Sequence, residues 1–291
     1  MHGTLYLVST PIGNLEDITL RALRILKEAD VVAAEDTRHS RKLLSHFEIS
    51  TPLISYHQHS GEEQTSVLIA RLIAGQSIAL ITDAGTPGVS DPGYALVVAA
   101  IEAGITVVPI PGASAVLAGL VASGIPPARF VFEGFLPRTK SNMRERLAVL
   151  AKEQRTIVLY EAGNRTAETV SEIGDAFGSE RQVVVCRELT KTYEEFKRGT
   201  AREVAAYYKA NPARGEVTII LAGRSSEDSI QSAQPEVEED PEQTLIRRLK
   251  ESRAGGLSER DSVRTVSEEL KMSRRIVYAA MLELASEGDV L

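Results

Sequence analysis

The first 125 residues alternate short apolar runs with longer stretches in which apolar residues recur at helical spacing. The apolar runs predict strands over Leu5–Val8, Val31–Ala34, Leu53–Tyr56, Ile78–Thr82 and Thr106–Pro109. The amphipathic stretches predict helices over 18–29, 38–47, 62–74 and 91–103. This alternation favours a parallel sheet covered by helices. Ile125-Pro126-Pro127 breaks the pattern, so residues 1–125 are predicted to form the N-terminal α/β domain.

Residues 126–225 repeat the alternation on a smaller scale and predict a second, mixed α/β domain. Its predicted strands are Phe130–Phe132, Ile157–Tyr160, Val183–Cys186 and Val217–Leu221. Its predicted helices are 142–151, 166–174 and 201–210, and Tyr193, Glu194 and Glu195 predict a solvated connection. Residues 226–242 hold seven acidic residues, no basic ones and few apolar ones, which is typical of a linker.

A C-terminal helical tail is predicted over residues 243–291. Ser258 has the side chain of a helix N-cap and predicts a helix through Leu270, and Ser273 predicts another through Ala285. Two helices separated by a short break are typical of a helix-turn-helix. Such a unit either contacts nucleic acid or only packs and dimerises, and the pattern does not distinguish these roles.

Composition excludes several classes of protein. The longest apolar run, Ala95–Ile101, is too short to span a membrane, and the N-terminus lacks the features of a secretory signal. The single cysteine, Cys186, excludes an internal disulfide framework and a cysteine-rich zinc site. We therefore expect a cytoplasmic protein. A net charge of −7 is unfavourable for binding nucleic acid. The excess is confined to the acidic linker, however, because the rest of the chain has 33 basic and 33 acidic residues, so the net charge does not exclude a nucleic-acid partner.

The most informative segment is the loop TDAGTPGVSDPG at residues 82–93, between a predicted strand and a predicted helix. Loops at the carboxyl ends of parallel strands are where α/β sheets bind ligands. This loop lacks both the Lys-Ser or Lys-Thr pair of a phosphate-binding loop and the glycine spacing of a dinucleotide fingerprint. A ligand without phosphates, such as S-adenosylmethionine, fits it better, with Asp83 as the carboxylate that contacts it. Residues 10–14 and 111–115 follow two other strands at the same edge.

Several motifs together resemble one known family. They are LVSTPIGNLEDITLRALRILKEADVVAAEDTRHSRKLL, SIALITDAGTPGVSDPG, PGASA, EGFLPR and RELTKTYEEFKRGT. The family is that of the bacterial small-subunit ribosomal RNA 2'-O-ribose methyltransferases, within the tetrapyrrole methylase superfamily, and the resemblance covers about residues 4–223. It implies the two-domain tetrapyrrole-methylase-like α/β fold with a C-terminal helical extension. It further implies a homodimer that methylates the 2'-hydroxyl of a cytidine in the decoding centre of 16S ribosomal RNA.

The resemblance also implies that S-adenosylmethionine binds in the cleft between the two domains. The residues implied to contact it are Ile12, Asp83, Gly85, Thr86, Ser114, Ala115, Leu159, Tyr160, Ala222 and Gly223. One departure stands out: the family has Tyr-Glu-Ser-Pro-His-Arg where this chain has Tyr160-Glu161-Ala162-Gly163-Asn164-Arg165. A histidine at position 164 is therefore not available here as a base or ligand.

The catalytic candidates are Glu35, Asp36 and Arg38, which follow the second predicted strand. A ribose hydroxyl is a poor nucleophile at neutral pH, so a nearby base should help the transfer. Alternatively Asp36 only caps the next helix. His57 and His59 alternate at a strand end, but a metal site would need a third ligand and the chemistry needs no metal, so none is expected.

Basic residues near these segments are the candidates for contact with ribosomal RNA or the small ribosomal subunit. They are Arg41, Lys42, Arg138, Lys140, Arg144 and Arg146. A solvated helix start would explain the run after Gly134 equally well. Two alternatives stay open: a small-molecule methylase of the tetrapyrrole type, and a catalytically silent RNA-binding factor in ribosome assembly. The sequence identifies neither the exact nucleotide, nor the catalytic base, nor the role of the tail.

Overall fold

The computed structural model describes residues 2–57, 61–224, 241–254, 257–270 and 272–287. A five-stranded parallel sheet forms the first half of the molecule, with the strand order β3-β2-β4-β1-β5. Its strands are β1 (Thr4–Val8), β2 (Val31–Ala34), β3 (Leu53–Ser55), β4 (Ile78–Ile81) and β5 (Thr106–Ile110). All four residues of β2 and of β4 are buried, as expected for parallel strands covered on both faces. The predicted parallel sheet is thus confirmed.

Helices cover both faces of this sheet. They are α1 (Leu20–Glu28), α2 (Thr37–His46), α3 (Gly61–Ile73) and α4 (Tyr94–Glu102). Ile25 of α1 and Leu44 of α2 pack in one hydrophobic cluster, whereas Leu68 of α3 and Leu96 of α4 pack in another. Two helices therefore lie on each face. The first helix begins two residues later than predicted because the Thr19 side chain accepts the Ala22 amide and caps it.

The second sheet is mixed and has the strand order β6-β7-β10-β8-β9. Its strands are β6 (Phe130–Phe135), β7 (Thr156–Ala162), β8 (Gln182–Arg187), β9 (Glu195–Thr200) and β10 (Glu216–Leu221). Only β6 and β7 are parallel. Its helices are α5 (Ala115–Ser123), α6 (Lys140–Leu150), α7 (Thr166–Phe177) and α8 (Ala201–Ala210). The sequence pattern does not predict β9, because this edge strand carries charged residues in place of an apolar run.

Helix α5 lies on one face of the second sheet, and α6 to α8 lie on the other. Val116 and Leu120 of α5 share a cluster with Val158 and Ile220, whereas Leu147, Ile173 and Val204 of the other helices pack with Ile157 and Ile219. Although α5 precedes residue 125, it packs with the sheet that follows. Gly119 permits this approach, since a Cβ there would lie 3.3 Å from the Thr218 methyl and 3.4 Å from the Cys186 sulfur.

The contacts divide the chain into two compact units, Met1–Arg224 and Ser225–Leu291. In the second unit the structure describes three helices: α9 (Pro241–Ala254), α10 (Glu259–Glu269) and α11 (Arg274–Glu287). They pack through a small core of Leu249, Val266 and Val277. Ser258 accepts the Asp261 amide and caps α10 as predicted, but the sequence pattern does not predict α9. Almost all of the predicted linker, residues 226–240, lies outside the described residues.

Candidate active site

A cavity of about 790 Å³ lies where the carboxyl ends of the first sheet face the second sheet. The loops after β1, β4 and β5 form one side, and Tyr160 of β7 with the start of β10 forms the other. Seven of the ten residues implied to contact the cofactor line this cavity: Ile12, Asp83, Gly85, Thr86, Ser114, Ala115 and Tyr160. The three separate loops that the sequence singled out therefore meet in one place.

Backbone hydrogen bonds hold the loop after β4 against the loop after β1. The Thr10 amide donates to the Gly85 carbonyl over 2.9 Å, and the Gly85 amide donates back to the Thr10 carbonyl over 3.1 Å. Gly85 has a φ of 85°, a left-handed conformation that favours glycine. The hydroxyls of Ser9 and Thr86 lie 3.0 Å apart and add a side-chain link. This wall of the cavity is consequently held in place by the protein's own hydrogen bonds.

The loop after β5 brings the beginning of α5 to the cavity. Ser114 caps this helix by accepting the Leu117 amide over 3.5 Å. Gly112 lies so close to β1 that a Cβ there would be 2.8 Å from the Ser9 Cβ. The amino end of a helix carries partial positive charge and unpaired amide donors, so this side suits a carboxylate.

Carboxylates dominate the charge of the cavity. Burial raises the pKa of Asp91 to about 6; the Thr82 hydroxyl opposes this shift, while Glu35, Glu216 and Asp83 add to it. Burial likewise raises the pKa of Tyr160 to about 12, so this phenol stays neutral at physiological pH. Lys191 is the only cationic side chain among the lining residues, and such a cavity attracts a cation. The lining carboxylates are Glu35, Asp83, Asp91, Glu188 and Glu216.

Of the three catalytic candidates, only Glu35 reaches the cavity. Its Oε2 accepts the Thr82 hydroxyl over 3.0 Å. Asp36 instead caps α2, accepting the Arg38 amide over 2.8 Å. Arg38 pairs with the Asp36 carboxylate, and its side chain is 91% exposed. The Asp36 amide does assist the site, since it donates to Asp83 Oδ1 over 3.2 Å. The helix-cap alternative for the Asp36 side chain is therefore what the structure shows.

The residues that line this cavity do not include Leu159, Ala222 or Gly223. Leu159 is fully buried on the face of the second sheet that packs against α6 to α8, because side chains alternate along a strand and Tyr160 takes the cavity side. Ala222 and Gly223 follow the far end of β10, where Gly223 lies against the Gln154 backbone. The cavity is lined instead by residues 215–218 at the other end of β10.

Three further carboxylates of the cavity, Asp91, Glu188 and Glu216, are not among the candidates named from the sequence. Asp91 is the second aspartate of the loop at residues 82–93, so its position in that loop could have identified it from the sequence. Glu216 opens β10, and no sequence pattern distinguishes it from other polar residues at strand ends. The pairing of β10 with β7 places Glu216 opposite Ala162, and only this pairing brings it to the cavity.

The departure from the family pattern at residues 162–164 lies outside the cavity. Asn164 is exposed, and none of the three residues is among those that line the cavity. Gly163 is buried and donates its amide to the Gly215 carbonyl over 2.6 Å. A Cβ on Gly163 would lie 2.7 Å from the Arg214 backbone, so this position requires the smallest residue. The departure therefore lies in a turn that does not line the cavity but supports its wall through the Gly215 backbone.

The basic candidates fall into two groups. Lys140 and Arg144 both bind the buried Glu172 carboxylate, at 2.8 and 2.5 Å, and hold the pKa of that carboxyl at about 2. Arg146 binds Glu133 through two bonds of 2.5 and 2.6 Å. Lys140, Arg144 and Arg146 thus form a first group, whose charges are neutralised by carboxylates. The second group offers uncompensated charges to an RNA phosphate. Its members are exposed and pair with no carboxylate within the part of the chain that the structure describes: Arg41, Lys42 and Arg138.

Neither a metal-binding cluster nor a membrane-spanning helix is present among the described residues. No group of three or more histidine, cysteine, aspartate or glutamate side chains is placed there to hold a metal ion. His59 lies outside the described residues. None of the helices described is both long enough and apolar enough to cross a membrane.

Comparison with known proteins gives consistent matches. Residues 4–205 match the family model described as Tetrapyrrole (Corrin/Porphyrin) Methylases. A protein of Synechocystis sp. named Ribosomal RNA small subunit methyltransferase I is 48% identical, covering 98% of this chain and 100% of its own length. A relative of the same name from Bacillus subtilis is also 48% identical, over 78% of this chain and 77% of its own length.

Solved structures agree on the fold. Uroporphyrin-III C-methyltransferase from Thermus thermophilus, complexed with S-adenosyl homocysteine, has a TM-score of 0.54 at 23% identity and covers 76% of this chain and 97% of its own. Diphthine synthase has a TM-score of 0.59 at 17% identity, with 79% and 94% covered. The chain belongs to the tetrapyrrole methylase family and, within it, to the group of relatives named ribosomal RNA small subunit methyltransferase I.

Proposed function

We propose that this protein transfers a methyl group from S-adenosylmethionine to the 2'-hydroxyl of a cytidine in the decoding centre of 16S ribosomal RNA. The observation that carries the proposal is the cavity. Loops from three parts of the chain meet there, and all three belong to motifs of the family. The names of relatives that match nearly the whole chain support small-subunit ribosomal RNA as the substrate.

The cavity fits the charges of S-adenosylmethionine. This molecule carries a sulfonium, an ammonium and a carboxylate, and it supplies the methyl group when bound. The carboxylates of Asp83, Asp91 and Glu216 match the two cations, and the amino end of α5 matches the carboxylate. The fixed pair of Thr10 and Gly85 leaves little rearrangement to be made on binding.

Transfer to an alcohol is an in-line displacement, so alignment of the two reacting atoms matters most. Glu35 is our candidate for orienting the ribose hydroxyl or accepting its proton, because it follows β2 at the same sheet edge and lines the cavity. Its Oε2 is held by the Thr82 hydroxyl, which fixes the side chain in place. Asp91 is a second candidate, since a carboxyl group with a pKa near 6 is unprotonated at neutral pH but still basic enough to take a proton.

We further propose that the protein acts as a homodimer in the cytoplasm and that it engages the small ribosomal subunit. Arg41, Lys42 and Arg138 are the candidates for phosphate contact, because their charges are not neutralised within the described structure. The domain division after residue 125 also stays a proposal; it fits the separate sheets, with the exception that α5 packs on the second one. Sedimentation of the purified protein tests the dimer.

The experiment that tests the function uses small ribosomal subunits from a strain that lacks this gene. The purified protein is incubated with these subunits and radiolabelled S-adenosylmethionine, and the methylated position is mapped by primer extension at low nucleotide concentration. We expect one new stop, at a cytidine of the decoding centre, that weakens when Glu35→Ala is used. Label in the base, or no label in the RNA, contradicts the proposal.

The two alternatives give different results in the same test. A small-molecule methylase would leave the RNA unlabelled and methylate a tetrapyrrole; the solved methylases of that type share the fold at 21% to 23% identity, which says nothing about substrate. A silent RNA-binding factor would bind subunits without binding S-adenosylmethionine, which calorimetry measures directly. Its best support is the altered turn at residues 162–164, and that turn lies outside the cavity.

A further inference from the structure

A second cavity, of about 430 Å³, lies beside the candidate active site. Helix α2 forms one wall, and the loop after β1 forms the other. Asp83 lines both cavities, so the two adjoin at the end of β4. The polar residues that α2 contributes to the lining are His39, Ser40, Lys42 and His46.

The hydroxyl of Ser40 lies in this wall without a hydrogen-bond partner. The residue is 2% exposed, and its Oγ contacts no acceptor or donor among the described residues. A buried hydroxyl that makes no hydrogen bond destabilises a protein, so such groups are rare and call for an explanation. The Oγ itself has almost no accessible surface in the free protein, so a rotation of the Ser40 side chain toward the cavity would let a ligand oxygen provide the missing partner.

Three basic side chains accompany this hydroxyl. His39, Lys42 and His46 stand three and four residues apart along α2, so they share one face of the helix, and all three line the cavity. None of them forms an ion pair within the described part of the chain. Asp83 is the only carboxylate in the lining, and its Oδ1 is occupied by the Asp36 amide. The lining therefore offers several hydrogen-bond donors, with the positive charge of Lys42 on α2 opposite the negative charge of Asp83 at the boundary with the first cavity.

We propose that the second cavity binds a backbone phosphate of the RNA strand whose ribose enters the first cavity. The proposal rests on the proposed function and assigns a subsite to its substrate. Asp83 lies between the two cavities. An RNA strand that places one ribose in the first cavity therefore has the adjoining backbone phosphate beside the second cavity. Phosphate contacts fix the register of a nucleic acid on a protein, so this subsite would select which ribose meets the methyl group.

The Ser40 hydroxyl allows a test in which stability and RNA binding change differently. Ser40→Ala removes a hydroxyl that makes no bond in the free protein, so we expect unchanged or higher thermal stability. A hydrogen bond to a charged phosphate is lost in the complex, so affinity for unmethylated small subunits should fall about tenfold or more. The matched control is Ser45→Ala, an exposed position on the same helix that should change neither quantity.

Substitution of Lys42 tests whether the ligand of the second cavity is a phosphate. The full-length protein, saturated with S-adenosylhomocysteine, is titrated with small subunits at several potassium chloride concentrations and constant magnesium. Lys42→Gln should reduce the slope of log affinity against log salt by about 0.7 to 0.9, the value for one phosphate contact. Lys27→Gln, at an exposed lysine on α1 that lines neither cavity, should leave the slope unchanged.

Four outcomes separate this proposal from the one on which it rests. Loss of subunit affinity in Ser40→Ala and a lower salt slope in Lys42→Gln support the subsite. Loss of affinity in Lys42→Gln with an unchanged slope overturns it and indicates contact with a base. Weaker S-adenosylhomocysteine binding in Ser40→Ala also overturns it, since the cavity would then belong to the cofactor. If wild-type protein methylates subunits and both variants bind them normally, the subsite is refuted while the proposed function stands.

Discussion

Replacing Asp91 by asparagine should strengthen the fold and weaken cofactor binding at the same time. Burial raises the pKa of this carboxyl from 3.8 to about 6, with the neighbouring carboxylates of Glu35, Glu216 and Asp83 acting in the same direction. The folded protein therefore binds a proton at Asp91 more tightly than the unfolded chain does. Between pH 3.8 and about 6 the contribution of this group to the free energy of unfolding falls as pH rises. Above that range the folded protein bears the full free-energy cost of holding Asp91 ionised in the cavity.

The size of the effect follows from the pKa difference. A change from 3.8 to about 6 corresponds to at most about 3 kcal/mol. Asp91 is only partly buried, so solvent screening reduces this to about 1 kcal/mol. The substituted amide would remove the charge, and its N–H could donate to the Thr82 oxygen, whose own proton goes to Glu35. We expect Asp91→Asn to raise the free energy of unfolding by about 1 kcal/mol at a pH of about 8 and to change it little at a pH of about 3.5.

Cofactor affinity should change in the opposite direction. The negative charge of Asp91 attracts the cationic groups of S-adenosylmethionine, and its loss should weaken binding about five- to tenfold. Wild-type affinity should also fall below a pH of about 6 as Asp91 takes up a proton, whereas the affinity of Asp91→Asn should not show this decline.

The assay combines urea unfolding at the two pH values with calorimetric titration of S-adenosylmethionine. Asp17→Asn is the control, because Asp17 is exposed, lines neither cavity and changes the net charge equally. Equal stability of wild type and Asp91→Asn at the higher pH would refute the inference that the charged form of Asp91 is disfavoured in the folded protein. Unchanged affinity would refute its contact with the cofactor.

Three further predictions concern the site and the tail. Asp83→Ala should weaken S-adenosylmethionine binding about ten- to a hundredfold, whereas Glu35→Ala should spare binding and lower turnover; equal calorimetric affinity of Asp83→Ala and wild type would remove this loop from the site. Truncation after Arg224 should leave a folded protein that binds cofactor but methylates subunits poorly, and aggregation of the truncated chain would show that the tail stabilises the core. A strong chelator should leave cofactor affinity unchanged, and a loss on chelation would reveal a metal.

Local pattern predicts the sheets well and the cavity in part. Apolar runs bounded by turn residues identify nine strands, because buried strands have mostly apolar side chains. The edge strand β9 lacks that signal, since its side chains are mostly polar or charged. Helix α9 is missed because it follows an acidic segment and has weak amphipathic character. Leu245 and Leu249 of α9 pack against α10 and α11, and no local pattern reports such contacts.

Placement of single residues depends on information that the sequence does not carry. Gly85, Thr86 and Ser114 can be assigned to one edge because strand ends of a parallel sheet share an edge. The position of Ala222 depends on which end of β10 faces the cavity. Because β10 runs antiparallel to β7, its first residues face the cavity and Ala222 follows its far end. The position of Leu159 depends on which face of β7 its side chain is on. Neighbouring residues of a strand point to opposite faces, so Tyr160 lies in the cavity while Leu159 lies in the core.

The close approach of α5 to the second sheet makes the single cysteine an internal reporter of local opening. Cys186 lies under Gly119 and lines the cavity, it is fully buried, and burial raises the pKa of its thiol to about 12. A thiol reagent can therefore modify it only during moments when α5 moves away from the sheet. The labelling rate of the unmodified protein thus measures the frequency of that movement, and a ligand that bridges Ser114 and Tyr160 should slow it in proportion to its occupancy.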